Sequence, residues 1–217
     1  MAAPRNRAER ALVTRRRMVS AGYLLFCEKG YLGTTMNAIA AEAGVAVQTL
    51  YYTFHAKAEI LGEALGAAIV GFDNWFGPPP GPIMVERLLP MHTWWDEFEA
   101  ALDARAALAV FIDNGVGVLE RVGPLVAAMH GGSGDPDAEA VIRVGEERRV
   151  ESYRAVVEVV AAKPGGLRPG LDVEGATDLL VVLFSAEVYQ AFANGRGWSR
   201  ARCARFFHEV LPQQLVG

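Results

Sequence analysis

Gln48, Thr49, Tyr51 and Tyr52 crowd into the stretch GVAVQTLYYTF, residues 44–54, and each carries a group able to meet nucleic acid. A glutamine can donate and accept at an adenine edge, a threonine or valine methyl can meet a thymine methyl, and tyrosine hydroxyls can reach phosphate oxygens. Such contacts need these residues on one side of a rod that enters a groove. With Leu50 as origin and 100° per residue, Phe54 falls at about 40°, and Tyr51, Gln48 and Tyr52 at about 100°, 160° and 200°. Leu50 and Phe54 therefore anchor one side while the other three point away. Thr49, at about −100°, flanks the outward side. Ala46 and Val47 stand at the start of the helix, where base contacts concentrate in helix-turn-helix proteins. The alternative is that both tyrosines cover neighbouring helices and Gln48 is merely solvated.

The surrounding pattern builds that motif. Val19, Gly22, Leu25 and Phe26 recur at helical spacing in a first helix from about Ala8 to Lys29, broken at Gly30. Thr35 is positioned to cap a short second helix through Met36, Ile39, Ala40 and Ala43, with Gly44 where a left-handed cap belongs. A third helix from about Val47 to Phe54 follows the short turn, and a fourth starts near Lys57. Two short helices across a glycine-containing turn make a helix-turn-helix candidate.

Beyond residue 70 the prolines at 78, 79, 80 and 82 exclude a regular helix and mark a change of direction or a domain seam. A long apolar helix is then expected from TWWDEF onward and a short one starting at Pro124, with Asp135 or Asp137 capping a charged amphipathic helix from Asp137 to Ala162. The last two are 172–194, apolar almost all round, and 199–211, capped by Ser199. No segment shows sustained period-two alternation. The expected fold is all-α with about nine helices: an N-terminal three-helix unit carrying the helix-turn-helix, residues 1–57, and a C-terminal helical domain, residues 58–217.

Charge is split in the same way. The 217-residue chain has a net charge of −4, but residues 1–57 carry eight basic against three acidic residues, while the remainder carries 13 against 22. The N-terminal balance of +5, with Arg15 and Arg16 in an RRR run, suits phosphate contact through counterion release; a solvated basic face is the competing reading. No apolar run of membrane-spanning length and no secretory signal is apparent, so a cytoplasmic protein without a membrane partner is expected. Cys27 and Cys203 sit far apart without metal-ligand spacing and read as buried thiols. His92, His130 and His208 are isolated, and no HExxH, GxSxG or phosphate-loop pattern occurs, so no catalytic residue, metal or cofactor is expected. A cavity enzyme or a protein-docking module carrying the helix-turn-helix are the alternatives. Homodimerisation would cover the greasy helices at 172–194 and 199–211; a monomer burying them in its own core would do so equally.

The segment FCEKGYLGTTMNAIAAEAGVAVQTLYYTFHAKAEIL, residues 26–61, resembles the N-terminal DNA-binding domain of the tetracycline-repressor (TetR) family of bacterial transcriptional regulators. The matching features are KGY ending the first helix, TT and IA in the second, AGV, then TLYYTF followed by a lysine. The resemblance implies a homodimer whose two recognition helices enter successive major grooves of a palindromic operator in double-stranded DNA. It places Thr35 on phosphate, Val47, Gln48, Thr49 and Tyr51 on bases or the groove wall, and Tyr52, Thr53 and Lys57 on the backbone. His55 and Ala56 depart from it, standing where many members have a serine or asparagine. The resemblance further implies a repressor released by a small, mainly apolar effector. Trp94, Trp95, Phe98, Phe111, Met129, His130, Tyr153, Phe184 and Tyr189 are the candidate lining, because aromatic groups with a few polar atoms make small-molecule pockets.

Overall fold

The computed structural model describes residues 7–78, 89–130 and 135–217. The prolines at 79, 80 and 82, and the glycines of the GGSGDPD loop, lie outside the described residues. Helices run α1 Arg7–Gly33, α2 Met36–Ala43, α3 Val47–Thr53, α4 Lys57–Val70, α5 Trp95–Ala100, α6 Ala104–His130, α7 Pro136–Ala161, α8 Val173–Leu183, α9 Ala186–Arg196 and α10 Arg200–Leu215, with a 3-10 turn at Leu89–Met91. Among the described residues the only strand-like feature is an isolated bridge between Leu167 and Val216. The protein is all-α.

The chain forms two compact units, one from residues 1–80 with 124–143 and one from 81–123 with 144–217. In the first, α1 breaks at Gly30, whose φ of 72° an L side chain adopts only with strain. Met18, Val19, Phe26, Ile39, Leu50, Phe54, Ile60 and Leu61 are fully buried together and tie α1 through α4 into one core. A Cβ on Gly22 would lie 2.5 Å from Ile60 Cγ2, so glycine there is what lets α1 and α4 approach so closely. Arg15 reinforces that contact through a bidentate pair with Glu63.

In the second unit the core is aromatic. Phe98, Phe184 and Phe207 are fully buried, and Phe111 joins Phe184 at 5.1 Å between ring centres. Three expectations are corrected here. The long helix expected from TWWDEF onward is two, α5 and α6, because Ala101 leaves helical geometry and Asp103 starts α6 by accepting from Ala106 N–H. Pro124 does not open a new helix: it lies inside the 27-residue α6, where the missing N–H removes one main-chain bond and the flanking turns carry the helix through. The apolar stretch 172–194 is not one helix either, because Phe184 leaves helical geometry and Ser185 caps a new helix by accepting from Val188 N–H.

That break bears on membrane insertion. Val173–Arg196 contains a window of mean hydropathy 1.3. Split into two 11-residue helices, each reaches only about 16 Å, roughly half the hydrocarbon thickness of a bilayer. Asp135, Asp172 and Ser199 cap α7, α8 and α10 through their side chains. Cys203 is buried and Cys27 half-buried, and burial raises the pKa of both thiols.

Candidate nucleic-acid interface

The helix-turn-helix is built from α2, the turn 44–46 and α3. Thr35 caps α2 by accepting from Ala38 N–H at 3.1 Å. At its other end Gly44, with φ 65°, donates to Ala41 O while Val45 donates to Ala40 O, the paired bonds of a Schellman turn. Arg17 adds a clamp, donating from Nε to Ala43 O at 3.1 Å and from Nη2 to Gly44 O at 2.9 Å. The turn that sets the angle between α2 and α3 is therefore held from both sides.

Leu50 and Phe54 are completely buried, so the orientation of α3 is fixed from within. Gln48 and Thr49 are exposed, Tyr51 is 50% exposed and Tyr52 88%. These four therefore offer an amide, a hydroxyl and two phenols from one exposed rim. Ala46 is exposed at the start of α3 and Val47 is half-buried. Thr53 is half-buried, its hydroxyl donating to Thr49 O within the helix. Thr35 is exposed, and while its oxygen accepts the cap bond its O–H proton remains free to donate to phosphate.

The basic groups are arranged differently from the expectation. Arg15 is engaged with Glu63 and stacks over Phe54, 4.6 Å from the ring centre; Arg16 donates to Phe72 O at 2.6 Å. Both are held inside the unit because strong acceptors lie within reach. Lys57 donates to Tyr31 O at 2.7 Å and Thr34 O at 2.9 Å, joining the end of α1 to the start of α2. Burial lowers its pKa, an effect opposed by nearby Asp135. At α4 Ala56 supplies no side-chain cap; Glu59 reaches back to accept from His55 N–H at 3.1 Å.

Sequence reasoning missed Arg17 and Glu63, although one signal was available. Arg15 sits three and four residues before Met18 and Val19, beside the buried stripe of α1, so an inward partner such as Glu63 was to be expected for it.

The aromatic residues expected around an effector mostly pack on one another. Trp94 meets Trp95, Phe98 and Phe111 at 5.7–6.0 Å between ring centres, and Phe111 meets Tyr153 at 5.5 Å. Tyr153 donates to Phe184 O at 2.9 Å, meeting a carbonyl freed by the α8–α9 break. Tyr189 is buried in the same cluster, whereas Met129 belongs to the core of the first unit. The side chain of His130 lies outside the described residues. Trp95 also lines an open groove.

Residues 19–64 match the family model of the bacterial regulatory proteins of the tetR family. A search of curated proteins by sequence returns no match. Among solved structures, the chain is similar to the Bacillus subtilis transcriptional regulator FadR in complex with stearoyl-CoA, at 18% identity and TM-score 0.67, covering 90% of this chain and 96% of that one. It is similar to a Saccharomonospora viridis protein described as a transcriptional regulator, in complex with choline, at 19% identity, TM-score 0.66 and coverage of 94% and 97%. A third is NalD of Pseudomonas aeruginosa, the secondary repressor of the MexAB-OprM multidrug efflux pump, at 19% identity, TM-score 0.65 and coverage of 94% and 96%. The matched segment spans the whole helix-turn-helix, so residues 19–64 are a tetR-family N-terminal segment, and the all-helical fold is shared with these structures along nearly the full length.

Proposed function

We propose that this protein is a cytoplasmic, effector-responsive transcriptional repressor, a regulator and not an enzyme, that binds a palindromic operator as a homodimer. The observation that carries the reading is α3 itself: Leu50 and Phe54 are wholly buried while Gln48, Thr49, Tyr51 and Tyr52 stand in solvent. On this reading residues 1–57 read the DNA, with Ala46, Val47, Gln48, Thr49 and Tyr51 at bases or the groove wall. Thr35, Tyr52, Thr53 and Lys57 hold the phosphate backbone, and Arg15 and Arg16 contribute by bracing α1 against α4 and the turn after it. Residues 58–217 bind the effector and the second copy, through the helices spanning 173–196 and 200–215.

An effector acts here by preferring one spacing of the two recognition helices over the other; a ligand indifferent to spacing would shift nothing. The stearoyl-CoA and choline complexes of similar folds support a small-molecule site in the C-terminal domain. The test is gel retardation of a duplex from the DNA beside the protein's own gene. Retardation should fall steeply between low and moderate salt and should exceed that of an unrelated duplex. Equal retardation of both duplexes would overturn operator recognition.

A further inference from the structure

Within the second unit a half-open groove of about 400 Å³ runs between the 3-10 turn, α5 and the C-terminal part of α7. Leu89, Trp95, Ala155 and Val159 form its floor, and Glu99 and Glu158 stand at its edges. The volume falls in the range of sites that enclose small molecules. The groove adjoins the aromatic core through Trp95, which packs on Trp94 and Phe98.

The charged side chains that line it, Glu99 and Glu158, are both acidic. Asp96, Glu97 and Glu99 lie on α5, and Glu151 and Glu158 on α7. The neighbouring cations do not neutralise the two groove carboxylates. Lys163 gives its ammonium to the main-chain carbonyls of Glu99 and Ala101, at 2.7 and 2.9 Å. Arg154, one turn before Glu158, forms no ion pair with it, and among the described residues neither Glu99 nor Glu158 is ion-paired. An anion would be repelled from such a site, and a neutral hydrocarbon would leave both carboxylates unused.

We propose that this groove is the effector site and that its ligand is a lipophilic ammonium ion, hydrocarbon on the apolar floor beside Trp95 and cationic head between Glu99 and Glu158. The assignment rests on the regulator reading above for its role and on the groove for its chemistry. Apolar contact supplies most of the affinity, while the two carboxylates select for positive charge.

The experiment titrates the full chain with benzyltrimethylammonium and with its uncharged carbon isostere neopentylbenzene, following tryptophan fluorescence and heat. The cation should bind roughly tenfold more tightly, with the preference shrinking as salt is raised. The double substitution Glu99→Gln with Glu158→Gln should abolish that preference without changing affinity for the isostere. Both positions are exposed, so the melting temperature of the free protein should hold and report that the variant is folded. Equal affinity for the two probes, or a cation preference that survives the double substitution, would overturn the proposal. Gel retardation without any ligand is read in parallel: operator binding with no cation preference sinks the groove assignment alone, and cation preference without operator binding upholds the groove while sinking the regulator reading.

Discussion

The Lys57 ammonium lies 4.0 Å from the centre of the Tyr31 ring and 2.7 Å from the carbonyl oxygen of the same residue. One side chain thus satisfies a carbonyl at the end of α1, a second at Thr34 before α2, and the face of an aromatic ring. It also stands at the first position of α4, where a positive helix end favours phosphate. Lys57→Ala should consequently do two things at once. Two charge-assisted hydrogen bonds are lost, which should lower stability by about 1–3 kcal/mol in denaturant unfolding. Affinity for all duplexes should fall alike, because a phosphate contact carries no base information. A variant of unchanged stability would show that the two bonds do not form in solution.

Gln48 presents the opposite case, since it stands exposed on α3. Gln48→Ala should change stability by less than about 0.5 kcal/mol. Its effect should appear in a selection of bound sequences as relaxed preference at one position of each half-site, worth about 1–3 kcal/mol of discrimination. Uniform weakening across all sequences would place Gln48 on the phosphate backbone instead.

The motif was legible because local chemistry dictates it: Thr35 and Gly44 can each satisfy only one kind of helix end, and the spacing of Leu50 and Phe54 fixes which residues of α3 face out. The effector region was not. Aromatic content reveals that Trp94, Phe111 and Phe184 are apolar, but whether their faces meet each other or a cavity depends on how α5, α6, α7 and α9 assemble. The break at Ser185 was hidden for a related reason. No glycine or proline marks it, and the freed carbonyls are satisfied by distant donors, Arg149 to Val181 O and Tyr153 to Phe184 O, that no local pattern can show. Pro124 misled in the other direction, since a helix held at both ends by packing can absorb one missing bond.

Arg15 and Glu63 make a bidentate pair with side chains only 29% and 13% exposed, so removing one partner strands a charge in a poorly solvated place. Arg15→Ala should destabilise by about 1–3 kcal/mol. In a double-mutant cycle with Glu63→Ala the pair should show coupling above about 0.5 kcal/mol. Because the guanidinium faces α4, the salt dependence of operator binding should keep its slope in Arg15→Ala. A slope reduced by about one would instead place Arg15 on a phosphate.

Tyr31, Tyr153 and Tyr189 all titrate far above an ordinary phenol, pushed up to about 12 chiefly by burial. For Tyr153 the neighbouring Arg149 pulls the other way and burial prevails. Between pH 10 and 12 the unfolded chain loses these protons while the folded chain keeps them, so their contribution is complete below pH 10 and is lost as pH climbs toward 12. Lys57, lowered in the folded state, has the reverse sign and offsets part of this. Each tyrosine can steepen the fall by up to about 1.4 kcal/mol per pH unit. Unfolding followed by helix content at pH 9, 10, 11 and 12 should therefore show stability falling beyond pH 10. The part of the tyrosinate absorbance that comes from these three buried tyrosines should rise together with unfolding and not precede it. Tyr153→Phe should flatten that dependence, while lowering stability at neutral pH by about 1–3 kcal/mol because Phe184 O loses its donor. An unchanged alkaline slope in this variant would mean that the Tyr153 hydroxyl is reached by water in the folded protein.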